Sequence, residues 1–435
     1  MKAPSFQART LFRRAGLAVA STGMRTYARL LPLPRHGAVA RRAPRRITVF
    51  ALWGIGDAIH LLPLLRSLKR GHPEAELEVV GPAFHEDLLR NDPGVDRITV
   101  LTPPWTAAHG KYRFWNASYR HLFRWIRARR RERRDWIVTT RGDVREHFLA
   151  AMMGGRRRFG FGTKGRWPLL SERLEGLAPL EGERHFAEVG RDVARQLGGG
   201  AAEPGPTLHV SEAERVRART FLAERRLRGR PLLGIHAGAS FPIRAWPAER
   251  FGAAVARLAG RIGGVLVIED PQGSWSEIGL PPGLRAARFR GGLREVLALL
   301  SELDVVLCND SGIMHVAAAV GTRVVAPFGP TSVTWFGPCG TGHEVVRHPA
   351  IRCGPCVDRC PLGDARCITS VEVERVASAL SRALDATVVA SAAMKCTAAP
   401  TQNIGRLPSS GDLERPSSPP TSGLNPAACP PIPET

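Results

Sequence analysis

Several stretches of this chain place a carboxylate, a hydroxyl or a guanidinium in a small-residue turn directly after an apolar run. Asn309-Asp310-Ser311-Gly312-Ile313-Met314-His315 follows the run Leu303–Cys308, broken only by Asp304, and precedes a second run, Thr322–Phe328. This reads as strand, turn, helix, strand. A helix opening on Asp-Ser-Gly offers free backbone N–H groups and the positive end of its dipole, an anion site whose usual guest is phosphate. Ser311 can cap the helix or bind a phosphate oxygen, and His315 lies one turn further along the same face. The plain alternative is an ordinary capped helix between two strands.

Two further turns have the same form. Gly54-Ile55-Gly56-Asp57 follows the β-branched run Ile47–Leu52. Its glycines allow close backbone approach to a ligand, and Asp57 falls at a helix N-terminus beyond a strand's carboxyl end, where open α/β sheets bind ligands. A carboxylate there is a candidate general base for an alcohol; a simple N-cap aspartate is the alternative. His236 to Pro247 contains Gly238, Ser240 and Arg244. Its N–H groups can hold phosphate, and Arg244 supplies a fixed positive charge for a diphosphate. The alternative is a Pro-terminated loop packed by Trp246. Pro327-Phe328-Gly329-Pro330-Thr331 is another strand ending in a Gly/Pro turn.

A different chemistry sits in Cys353-Gly354-Pro355-Cys356-Val357-Asp358-Arg359-Cys360, with Cys367 further on. C-x2-C with two more thiols nearby fits a structural zinc site. Iron–sulfur ligation and disulfides are the other readings, the latter disfavoured in a cytosolic protein.

The elements that must position these residues read as two α/β regions. Strands at Ile47–Leu52, Leu77–Val80, Ile98–Leu101 and Trp136–Thr140 suit repeated βαβ units and a parallel sheet. Ala58–Lys69 is a helix in which Pro63 either makes a kink or marks a shifted start. His121–Arg134 is an Arg-dense helix, read as a solvated face in preference to an anion-binding one. Gly198–Pro206 resembles an interdomain linker. Beyond it come strands at Leu232–His236, Val265–Glu269, Val305–Cys308 and Val324–Phe328, and a closing helix at Val371–Leu384. Residues 1–45 form a basic extension whose Leu11, Leu17, Met24 and Leu31 could line one face of an amphipathic helix on an anionic membrane. A frayed basic extension is the alternative. The expected divisions are 46–200 and 205–385, with 386–435 a Pro/Ser/Thr-rich tail too poor in apolar residues to fold.

Composition narrows the partners. Lys and Arg total 62 against 39 Asp and Glu, a formal charge of +23, which calls for an anionic partner or surface. No apolar run reaches transmembrane length, and the short segment Ala15–Ala20 followed by basic residues does not make a secretory signal.

Together, in this order and at this spacing, the motifs resemble glycosyltransferase family 9, the heptosyltransferases of lipopolysaccharide core assembly, over roughly residues 46–385. The most specific part is Asn309 to His315 with Phe328-Gly329-Pro330-Thr331. Ile55-Gly56-Asp57 with Pro63-Leu64-Leu65-Arg66 is similar to the family's N-terminal signature, and the Cys cluster before Ile368-Thr369 resembles a feature of many members.

The resemblance implies an α/β, GT-B architecture: two Rossmann-like domains facing a cleft, acceptor on the first and nucleotide-sugar on the second. It implies inverting transfer without a catalytic metal, with Asp57 as the base and Gly54 and Gly56 in the acceptor-side loop. Arg244 stands where the family usually has Lys, before the Trp-Pro pair, and would stabilise the leaving diphosphate. Gly238, Ser240, Glu277, Asp310, Ser311, Gly312, His315, Gly329 and Thr331 would face the donor. The implied setting is cytoplasmic, with peripheral contact at the inner membrane's cytoplasmic face and an anionic glycolipid acceptor.

Three rivals stand beside it. A nicotinamide-dependent oxidoreductase needs a full glycine fingerprint, whose third Gly would fall at Ile59. A nucleic-acid binder needs a binding module that the sequence lacks, so no nucleic acid is expected as a partner. A catalytically inactive relative serving as a scaffold shares every motif and is separated only by assay.

Overall fold

The computed structural model describes residues 43–90, 92–106, 117–162, 169–176, 183–201, 205–227, 229, 231–270, 278–351, 355–356 and 359–397. Glu277, Cys353, the basic segment 1–42 and the tail from 398 lie outside the described residues. The chain forms two compact units. The first takes in the described residues up to His209 together with Ser332–Gly337; the second takes in Val210–Thr331 and the chain from Pro338.

Each unit is built on a six-stranded parallel sheet. The first sheet contains β1 (Arg46–Phe50), β2 (Glu76–Gly81), β3 (Arg97–Val100), β4 (Trp136–Thr139), β5 (Arg157–Phe161) and β6 (Glu172–Leu174), in the order β3-β2-β1-β4-β5-β6. The second contains β7 (Leu232–His236), β8 (Gly264–Ile268), β9 (Ala286–Phe289), β10 (Val305–Cys308), β11 (Arg323–Pro327) and β12 (Glu344–Val346), in the order β12-β11-β10-β7-β8-β9. Both are the doubly wound order in which the chain starts in the middle, runs to one edge, then returns to build the other half. The reversal leaves a crevice beyond the carboxyl ends of two neighbouring strands, the usual ligand site of such sheets. The neighbours are β1 and β4 in the first unit and β7 and β10 in the second.

The central strands are buried on both faces and largely apolar, as parallel strands covered by helices must be. Ile47, Val49, Ile137 and Val138 in the first sheet and Leu233, Ile235, Val305 and Leu307 in the second are fully buried. Burial of side chains of this size contributes about 1.5–3 kcal/mol each. That rigid floor fixes where the loops at the strand ends begin.

Pro63 marks a shifted helix start. One helix, Ile55–His60, ends at Leu61, and a second, Leu62–Gly71, begins with Pro63 in its first turn, where its missing N–H costs nothing. The expected linker is docked on the first unit rather than free. Gly200 N–H donates to Ser67 O at 2.8 Å and Ser67 Oγ donates to Gly200 O at 2.6 Å. The Arg-dense helix runs Ala117–Arg129, earlier than expected, because Leu122, Trp125 and Ile126 pin its inner face and Arg134 turns into the core to pair with Glu78. The closing helix runs Val373–Thr397, beyond the expected end at Leu384. Among the described residues no helix is long and apolar enough to cross a membrane.

Candidate active site

In the first unit the loop after β1 leads into the helix Ile55–His60, whose N-cap is Gly54. Asp57 is therefore not the N-cap. It sits in the first turn, where its Oδ2 accepts the Gly54 N–H at 3.1 Å. Its Oδ1 lies 3.2 Å from the Arg141 guanidinium. That oxygen is buried and, despite the ion pair, accepts no hydrogen bond of good geometry. A lone pair is thus available to a hydroxyl proton. Gly56 is half-buried and Gly54 exposed, so the backbone beside Asp57 is open to a ligand.

Arg141 comes from the turn after β4. Gly142, at φ 69°, lets the chain reverse there, and Asp143 caps the helix Val144–Met152 by accepting the Arg145 N–H at 2.8 Å. Arg141 also lies over the Trp53 ring, 4.8 Å from its centroid, and Arg145 lies 5.4 Å from it. Trp53 donates its indole N–H to Glu146 Oε1 at 2.5 Å. Glu146 is in the first turn of its helix, a place from which glutamate usually reaches back to its own cap. Here it points inward and is 1% exposed. Burial, with the nearby charge of Asp143, pushes its carboxyl up to about 8, against the opposing pull of the Trp53 hydrogen bond and Arg141. Glu146 is therefore predominantly a neutral acid at pH 7. Sequence reading missed Arg141, Trp53 and Glu146 as members of this group.

The second unit repeats the arrangement at its own reversal. The loop after β7 carries buried Gly238 and exposed Ser240, then a short 3-10 turn, Pro242–Arg244. The loop after β10 carries Asn309, Asp310 and Ser311. Asn309, fully buried, ties the two loops together: its side-chain N–H donates to Ala237 O at 2.7 Å, and its carbonyl accepts the Trp246 N–H at 3.0 Å. Trp246 is anchored in turn by its indole N–H to Val371 O at 2.9 Å.

This staple brings Arg244 to 3.4 Å from Asp310. Burial raises the Asp310 carboxyl above the usual carboxylate range, and Arg244 and the nearby Thr331 hydroxyl oppose that push. Ser311 is the N-cap of the helix Gly312–Ala319 but makes no side-chain cap bond; its buried Oγ has no hydrogen-bond partner. A buried hydroxyl left this way is costly unless a ligand completes it. His315, 6% exposed, lies one turn along. Gly329 and Thr331 are buried in the turn after β11. A Cβ at Gly329 would come within 2.5 Å of Ile368, so only glycine admits that approach.

The Cys segment braces the same turn. Cys356 N–H donates to Pro330 O at 2.8 Å. Cys356, Cys360 and Cys367 line one cavity with Ile243, Pro330 and Leu362. These thiols are not in disulfides. Backbone N–H groups, chiefly that of Ala365 with Leu362, Gly363 and Asp364, hold the Cys360 thiol below its usual range. Thiols are the soft donors a structural zinc uses, but among the described residues the three sulfurs do not gather closely enough to form a ligand set.

Residues 122–365 match the family model for glycosyltransferase family 9 (heptosyltransferase). The chain belongs to glycosyltransferase family 9. Lipopolysaccharide heptosyltransferase 2 of Salmonella typhimurium is 26% identical over 330 residues, covering 69% of this chain and 88% of that one. The Escherichia coli protein of the same name is 26% identical over 323 residues, with the same two coverages, 69% and 88%. The solved structure of E. coli ADP-heptose lipopolysaccharide heptosyltransferase II superposes with a TM-score of 0.58 at 20% identity, covering 78% of this chain and 99% of that one. A family 9 glycosyltransferase from Veillonella parvula gives 0.56 at 21% identity, covering 69% and 85%. This family 9 chain is a heptosyltransferase-like glycosyltransferase with the two Rossmann-like units of the GT-B fold.

Proposed function

We propose that this enzyme transfers heptose from ADP-heptose to a lipopolysaccharide-core acceptor with inversion at the anomeric carbon and without a catalytic metal. The observation that carries the reading is the pair of aspartate–arginine contacts at the two sheet reversals, Asp57 with Arg141 and Asp310 with Arg244. The anomeric carbon becomes cation-like as the diphosphate departs. The reaction needs a base for the incoming hydroxyl and positive charge for the leaving group. Asp57, whose buried Oδ1 pairs with Arg141 but accepts no aligned hydrogen bond, fits the base. Arg244 and the N–H groups opening the helix Gly312–Ala319 fit the diphosphate, with Ser311 Oγ on a phosphate oxygen and His315, Thr331 and Gly238 around it. Fixed cations of this kind do the work that a divalent ion does elsewhere.

On the same reading the acceptor is an anionic glycolipid met at the cytoplasmic face of the inner membrane. A structural zinc at the cysteine segment would be held by Cys356, Cys360 and Cys367 once their sulfurs close together, away from the reacting atoms.

The test is turnover of ADP-heptose with a core acceptor, with the product's anomeric configuration read by NMR. Asp57→Asn and chelator-treated wild type run beside it. Inverted product, an inactive Asp57→Asn and chelated enzyme whose activity is not raised by adding back magnesium or manganese support the reading. Retained configuration, or wild-type rates from Asp57→Asn, sinks it.

A further inference from the structure

We infer that the outer face of the helix Ala117–Arg129, with the turn that follows it, is a docking surface for an anionic lipid bilayer. Arg120, Arg124 and Arg127 are exposed and lie four and then three residues apart, which puts them on one face of the helix. Arg130, Arg131 and Arg133 continue the cationic surface through the turn and are exposed too. Phe123, 52% exposed, stands beside the stripe.

None of these six arginines forms an ion pair among the described residues. Elsewhere in the unit arginine is taken up by carboxylates: Arg66 by Asp92, Arg134 by Glu78, Arg157 by Glu172. The single acid of the stretch, Glu132, is engaged by Arg134, Arg97 and Arg46. Like charges one turn apart on a helix repel, so an uncompensated stripe is unfavourable until an anion meets it.

The helix cannot hide the stripe by rolling over. Leu122, Trp125 and Ile126 are buried in the core with Phe50, Leu52 and Ile137, and Trp125 donates its indole N–H to Val100 O at 3.1 Å. The exposed face is held outward.

A flat array of phosphates is the partner that matches this geometry. Guanidinium groups bind phosphate through paired N–H donors. An aromatic ring among them belongs at the headgroup boundary, where its apolar body leaves water. Nucleic acid would satisfy the charge equally but has less use for a lone Phe at the margin of a straight cationic stripe. The inference rests on the proposed glycolipid reading only for its activity readout; membrane binding is measured without it.

The experiment is sedimentation of the full chain with vesicles of phosphatidylcholine, alone or mixed with phosphatidylglycerol, over a series of salt concentrations. Arg120→Gln, Arg124→Gln, Arg127→Gln and Arg131→Gln are combined in one variant, with Phe123→Ser as a second. A third replaces Arg9, Arg13, Arg14 and Arg25 of the N-terminal segment by Gln. Each basic residue at an anionic surface is worth roughly fivefold in partitioning. The expected result is salt-sensitive binding of wild type to the mixed vesicles and none to phosphatidylcholine, with at least a tenfold loss in the helix variant. Phe123→Ser should lose the part that persists at high salt. The helix variant should keep wild-type thermal unfolding and wild-type turnover on detergent-dispersed acceptor, and lose turnover on acceptor embedded in vesicles. Absence of wild-type binding overturns the inference. So does loss in the N-terminal variant with none in the helix variant, or a helix variant that loses retention of single-stranded RNA while binding vesicles normally. If vesicle binding falls as expected but no turnover is found for any acceptor, the surface stands and the functional reading fails.

Discussion

The two units share one strand order and place an aspartate and an arginine on the two loops flanking the reversal, but with the roles exchanged. In the first unit the carboxylate, Asp57, follows the first strand and the guanidinium, Arg141, follows the fourth. In the second the arginine, Arg244, follows the first strand and the acid, Asp310, follows the fourth. Burial differs as well: the Asp57 side chain is 18% exposed and that of Asp310 only 4%. A partly exposed carboxylate whose ion-paired Oδ1 accepts no aligned hydrogen bond suits proton transfer. A carboxylate shut in beside a guanidinium suits orientation of a cation that must meet a diphosphate. On the proposed reading, the same scaffold gives a catalytic carboxylate in one unit and an oriented arginine in the other.

The sharpest way to break the comparison is to remove the acids in turn. Asp57→Asn preserves shape and the Gly54 contact while removing the base. It should lower kcat by about 10²–10⁴-fold with little change in ADP affinity. Asp310→Asn should do the reverse, weakening ADP binding in calorimetry because Arg244, half-buried beside it, loses the carboxylate that orients it. Equal effects of both changes on kcat and on ADP affinity would erase the proposed division of labour. Arg244→Ala is next in size, with a loss in kcat/KM of about 10²-fold if it stabilises developing charge. Arg244→Lys should recover part of that, since a point charge survives while the fork of donors does not.

A smaller effect probes Glu146, which has no counterpart among the described residues of the second unit. Its carboxyl is raised to about 8 in the folded chain against 4.5 unperturbed. Between those values the folded state holds a proton that the unfolded state has released, so stability contributed by this group falls as pH rises and levels off above about 8. Glu146→Gln keeps an acceptor for the Trp53 indole and removes the titration. The gap in unfolding free energy, variant over wild type, should grow with pH through that window, to on the order of a few kcal/mol. Parallel profiles would show that the carboxyl is ionised in the fold at neutral pH.

How much of this was legible in the sequence follows from where each residue sits on the chain. Asp57, Arg244 and Asp310 each lie within the turn or first helical turn that follows a strongly apolar strand, so period and turn chemistry mark them together. Arg141 and Glu146 answer Asp57 and Trp53 across a gap of more than eighty residues, in a stretch so rich in arginine that one more carries no signal. Asn309 was visible as part of a motif, but that it staples the two loops depends on β7 lying beside β10, which only the sheet order shows. The strands β5, β6, β9 and β12 went unseen for a simpler reason, β6 being only the three residues Glu172–Leu174. Arg157 and Arg158 open β5, β9 is the half-exposed edge Ala286–Phe289, and β12 is only Glu344–Val346, too short for a period. Arg158 is accommodated in the core by hydrogen bonds to the Leu169 and Gly155 carbonyls, a tertiary fact that local pattern cannot state.

The finest test separates the two serine caps of the second unit. Ser211 opens the helix Glu212–Glu224 and its Oγ accepts the Glu214 N–H, in a capping box that Glu214 completes. Ser311 opens the helix Gly312–Ala319 with its Oγ unengaged. Ser211→Ala should therefore lower stability by ~1 kcal/mol and leave ADP binding alone. Ser311→Ala removes a buried hydroxyl that has no partner, so stability should hold or rise slightly, while ADP affinity drops by about tenfold for the loss of one hydrogen bond to phosphate. Opposite signs from the same substitution at the same helix position would mark Ser311 as a residue kept for its ligand. A stability loss at Ser311 equal to that at Ser211, with unchanged ADP affinity, would return it to an ordinary cap and leave the phosphate to Arg244 and the backbone.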